Sequence, residues 1–129
     1  MTKEEKSLLL IDLCSRLPYH CRVFYEYVDD LDNKTYGYSL TLNTWCIDEF
    51  NTDKAVVRPY LRPMSSMTED EANEFETISE SLFTNEAPEQ IWGEVIDWLN
   101  AHHFDHRGLI ERGLAIAVTE ENNPYEKKE

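Results

Sequence analysis

Glycine is scarce in this chain. Only Gly37, Gly93, Gly108 and Gly113 occur in 129 residues. None belongs to a glycine-rich run, which excludes a loop that cradles phosphate through backbone amides. Ser65 and Ser66 lack flanking glycines, so the tight elbow that presents a hydrolase serine is missing too. Cysteine is equally sparse. Cys14, Cys21 and Cys46 form no C-x-x-C pair, which removes a thiolate zinc site. Their odd number argues against a disulfide framework, and they read as buried free thiols. No apolar run approaches the roughly 20 residues of a bilayer-spanning helix. The patch from Leu8 to Ile11 is too short for a signal-peptide core and has acids around it. These absences place the chain in the cytoplasm, away from membranes.

The largest gap is in positive charge. From Pro63 to His106 there are eleven carboxylates and no Lys or Arg, within a net charge of −14. The rest of the chain is close to balanced. Phosphate binding needs clustered bases, so direct contact with nucleic acid is excluded. An anionic membrane surface is excluded on the same ground.

What is present reads as one α+β domain over residues 1–118, followed by a flexible acidic tail over 119–129. Thr2 and Glu5 form a capping box, and the helix they open runs to about Leu17, before Pro18. Leu9, Leu10, Leu13, Cys14 and Leu17 are its expected buried face. Residues 21–28 are β-branched and aromatic, as in a strand. Residues 36–43 alternate Tyr36, Tyr38, Leu40 and Leu42 with small or polar residues, which predicts a second strand with that set facing the helices. The Asp- and Asn-rich link between them predicts an antiparallel hairpin across residues 21–45. A third strand follows over 54–61, with Pro59 at an edge or at the end of pairing. Thr68 and Glu71 cap a helix whose inner face is Ala72, Phe75, Ile78 or Ser79, and Leu82. Pro88 opens another, with Ile91, Val95, Trp98, Leu99 and His102 in one row. Asp105 is expected to cap a last short helix ending at Gly113, and residues 114–118 to form a short strand or an extended segment. The expected order is αβββααα, a three-stranded antiparallel sheet packed against N-terminal and C-terminal helices.

Two segments carry a resemblance, "YLRPMSSMT" and "WLNAHHFDHRGLI". They are similar to segments of small uncharacterised proteins of phages and bacterial mobile elements. The likeness spans roughly residues 54–116. It implies a mobile-element context and no particular activity. Such proteins often carry Tyr where this chain has His106.

Three of the four histidines crowd into the second segment, as His102, His103 and His106 around Asp105. Two readings compete. In one, the four residues bind a metal, and the chain is a small metal-binding protein or metal-dependent enzyme. Adjacent helical side chains diverge by about 100°, so His102 and His103 cannot share an ion without unwinding. In the other, the segment is a junction between helices. Phe104 is then buried, His102 packs inward, His103 caps the last carbonyls, Asp105 caps the next turn, and Arg107 forms an ion pair beside it. The second reading is preferred, with no cofactor and no catalytic residue assigned. Function then falls to the acidic helices. Glu69, Glu76, Glu80, Glu94 and Asp97 form a candidate surface for a basic protein partner, as in inhibitors whose carboxylates imitate a DNA backbone; the other reading is a solvated face that keeps the protein soluble. The expectation is a non-enzymatic protein–protein interaction module.

Overall fold

A computed structural model describes the backbone of residues 1–84 and 88–125, and the side chains of these except 81–84, 88 and 91. Among the expected positions, the side chains of Leu82 and Ile91, all of Glu86 and residues 126–129 lie outside the described residues.

The chain is an α+β protein. Helix α1 (Lys3–Arg16) leads through a 3-10 turn into the hairpin of β1 (Arg22–Val28) and β2 (Thr35–Thr41). Helix α2 (Thr44–Asn51) precedes β3 (Val56–Leu61). The pair α3 (Glu69–Thr84) and α4 (Pro88–Ala101) follows, and β4 (Ile116–Ala117) closes the sheet. Strand order is β2-β1-β3-β4. The first three are antiparallel and β4 runs parallel to β3.

Three expectations need correction. The sheet has four strands, because residues 116–117 pair with Tyr60 and Leu61. Residues 44–51 are helical and not a connection. Asn43, the last residue of the alternating run, stops the strand by capping α2, its side chain accepting from the Cys46 amide. Residues 105–113 make turns and not a third C-terminal helix. Pro59 stands where pairing with β1 gives way to pairing with β4, so its missing N–H falls at a seam in the sheet.

Register explains the faces of the hairpin. Val23 opposes Leu40, Tyr25 opposes Tyr38, and Tyr27 opposes Tyr36, so all six share the face that α1 and α2 cover. Val23 and Tyr25 are buried and Leu40 packs on the core, but Tyr36 and Tyr38 are not buried as their side of the sheet predicted. They stand on the edge strand, beyond the cover of the helices. On the opposite face Phe24 lies across Gly37, where a Cβ would come within 2.4 Å of its ring.

The core has two parts. Leu9, Leu13, Val23, Val57, Leu61 and Leu109 centre the sheet side, and Val95, Trp98, Leu99 and Phe104 centre the α3–α4 side. On α1 the buried row is Leu9, Asp12, Leu13 and Arg16, while Cys14 is exposed. Cys21 and Cys46 are the buried thiols.

Candidate functional site

Helix α4 ends in a Schellman motif. The Phe104 amide donates to Leu99 O and the His103 amide to Asn100 O. The left-handed residue such an ending needs is His103, at φ 62°, where glycine is usual. His103 therefore ends the helix through its backbone. Its ring does not cap carbonyls, as expected, but stacks on Tyr125 at 3.8 Å and 9°. Tyr125 falls in the segment read as a tail. Its hydroxyl donates to Tyr60 O and accepts from the Arg22 amide, which ties the chain as far as residue 125 to the sheet.

Phe104 is fully buried, as the junction reading requires. Its backbone is stitched to the end of β3, with the Arg62 amide donating to His103 O and the Asp105 amide to Arg62 O. The Arg62 guanidinium lies 4.2 Å from the Phe104 ring centroid and grips Glu71 through two hydrogen bonds. That grip holds the Glu71 carboxyl down at about 2. His102 stacks on Trp98, and its Nδ1–H donates to Trp98 O. Asp105 accepts from the amides of Leu109 and Ile110, one with each oxygen. Gly113 then ends that turn in the left-handed region. His106 Nε2–H donates to the buried side chain of Asn100.

Sequence reasoning missed the ionic centre beneath this junction. Asp12 and Arg16 are both fully buried on α1. Arg16 donates Nε–H to Asp12 and an Nη2–H to Phe104 O. Arg107 reaches the other Asp12 oxygen at 3.1 Å, so its partner is Asp12 and not its neighbour Asp105. The available signal was spacing, since 9, 12, 13 and 16 form one helical row. Two guanidiniums around one carboxylate leave the centre positive. Burial first, then the Arg16 guanidinium, pushes both His103 and His106 down to about 4, with Arg107 adding to the effect on His106. Both rings are neutral near pH 7.

The four residues of the metal reading thus serve four different structural contacts. Among the described residues, no three of His, Cys, Asp and Glu gather so as to hold an ion.

The acidic candidates are placed differently. Glu69, Glu76 and Glu80 are exposed and recur at spacings that put them on one stripe of α3, about 16 Å long. Phe75 and Ile78 face away from the stripe, into the α4 contact. Glu71 and Glu74 are used internally, Glu74 accepting from the Trp98 indole. On α4, Glu94 and Asp97 are also exposed, and Tyr19 shares a hydrogen bond with Asp97. No helix among the described residues is long and apolar enough to cross a membrane. No protein-family model matches the chain, and no curated protein or solved structure is significantly similar to it.

Proposed function

We propose that the chain is a non-enzymatic interaction module that binds a basic partner protein through the acidic face of its α3–α4 pair. One observation carries the reading. Glu69, Glu76, Glu80 and Glu94 are exposed and have no ion pair among the described residues, while the neighbouring Glu71 and Glu74 are spent on internal contacts. A row of unneutralised carboxylates is expensive in self-repulsion and is a ready match for clustered Lys and Arg. The two segments similar to phage and mobile-element proteins favour a host DNA-handling protein as the partner. Its basic groove would take the carboxylate stripe in place of phosphates.

The test is fluorescence anisotropy of a labelled nona-arginine peptide titrated with the whole chain. Binding should weaken steeply with salt, because exposed charges are screened over about 8 Å at physiological ionic strength. The Glu69→Gln, Glu76→Gln, Glu80→Gln triple variant should bind at least about tenfold more weakly, a loss of roughly 1.4 kcal/mol. Unchanged affinity in that variant would refute the assignment.

A further inference from the structure

A second outward feature lies on β2. Aromatic rings run in contact from the hairpin to α2. Tyr36 meets Tyr27 at 5.9 Å between centroids, Tyr25 meets Tyr27 at 5.6 Å and Tyr38 at 5.4 Å, and Tyr25 stacks on Trp45 at 4.9 Å. Tyr36, Tyr38 and Trp45 remain 41%, 45% and 47% exposed. Among the described residues the strand beneath them pairs on one side only. Its seven residues, TYGYSLT, contain neither charge nor proline, two devices that commonly blunt an edge against further pairing.

Charge indicates what seats there. Asp32 stands at the hairpin end of the strip and accepts from the Tyr36 hydroxyl. Glu49 stands at the other end, one turn after Trp45 on α2. Its Oε2 is buried with no hydrogen-bond partner. Its charge adds to burial in raising the Tyr25 hydroxyl. Among the described residues the two cations seated on rings are Lys6 over Phe50 and Arg62 over Phe104, so the strip holds none of the chain's own. Electron-rich ring faces between carboxylates attract Lys and Arg side chains. A groove of about 680 Å³ continues from Tyr25 and Tyr27 past Glu49 to Ala55, where Glu26, Asp30, Glu49 and Asp53 outnumber Lys6 and Lys54. A second copy of the chain would bring its own charge of −14 to this edge.

We infer that the β2 edge and its aromatic strip dock an extended basic segment of a partner protein. The segment adds as a strand and lays Lys or Arg side chains over Tyr36, Tyr38 and Trp45. This rests on the reading of the chain as a module for a basic partner, and it supplies a contact separate from the α3 stripe.

The experiment uses the whole chain and a labelled nonapeptide alternating Lys and Val, with the Glu–Val peptide as control. Saturable binding of the Lys–Val peptide alone is expected. It should weaken at least tenfold in the Tyr38→Ala, Trp45→Ala double variant and stay unchanged in Trp92→Ala, whose indole is 57% exposed on α4. Hydrogen exchange on the unaltered chain gives a readout independent of any variant's folding. The amides of Thr35–Thr41 should gain protection when the peptide is added. Binding with no change in β2 protection and no loss in the double variant overturns the inference. If only the α3 triple variant then loses the peptide, the earlier reading stands without this one. Failure of both the Lys–Val and nona-arginine peptides to bind sinks both. A concentration-dependent dimer abolished by Tyr38→Ala would give the edge to a second copy and also overturn the inference.

Discussion

The α4 junction, residues 98–113, and the α3 stripe, residues 69–80, are both dense in titratable groups, yet their side chains have opposite fates. At the junction His102, Asp105 and His106 each meet a defined partner, and His103 lies flat on Tyr125. On the stripe Glu69, Glu76 and Glu80 point to solvent without an ion pair among the described residues. The three rings are held by different neighbours, two through hydrogen bonds and His103 by stacking alone, its buried Nδ1 lacking a hydrogen-bond partner. On the proposed reading, the exposed carboxylates of the stripe are the ones a basic partner would meet.

If the junction is structural, damage there should unfold the chain. Phe104→Ala truncates a fully buried aromatic ring and should cost about 3–5 kcal/mol in urea unfolding. Asp12→Ala should cost a similar amount, about 3–5 kcal/mol, by leaving Arg16 buried without its carboxylate. A loss below about 1 kcal/mol in either variant would break the contrast.

Acid should find the same place. In the folded chain His103 and His106 titrate near 4. In the unfolded chain they titrate near 6.5. Above pH 6.5 both rings are neutral in both states and add no pH dependence. Below it the unfolded chain takes up protons first, so stability falls between pH 6.5 and 4, by an amount that solvent screening of the two half-buried rings reduces. The loss from Glu71 is separate and comes between about pH 4.5 and 2. Unfolding midpoints at pH 7, 5.5 and 4.5 measure the slope, and His106→Gln should reduce it by about half. An unchanged slope in that variant would assign the acid sensitivity elsewhere.

Tyr125→Phe sharpens the boundary of the folded part. Loss of the hydroxyl that serves Tyr60 O and the Arg22 amide should cost about 1–3 kcal/mol. No effect would return residues 119–125 to the status of a loose tail. The smallest effects belong to the stripe. Glu69→Gln, Glu76→Gln and Glu80→Gln should each shift stability by no more than about 0.5 kcal/mol, whatever they do to binding.

Features carried by local chemistry were legible in the sequence. Both Thr–Glu capping boxes formed as spaced. The hairpin followed from alternation, and Phe104 and the Asp105 cap followed from the pattern around Gly108 and Gly113. Features that depend on distant partners were not legible. Helix α2 has eight residues, too few for periodicity to separate it from the strand before it. The sequence allows a short strand or an extended segment within residues 114–118, but the parallel pairing with Tyr60 and Leu61 was not legible. Asp12 and Arg16 look like a surface i,i+4 pair until Phe104 O and Arg107 close over them. The Schellman ending at His103 was concealed because histidine occupies glycine's usual position.

The junction reading is tested most directly by metal content after purification without an affinity tag, joined to thermal melts with and without zinc. Substoichiometric metal and an unchanged melting temperature are expected, with His102→Ala and His106→Ala differing from the parent only in stability. Stoichiometric metal, lost together in both variants, would contradict this account and make the histidine cluster the functional centre.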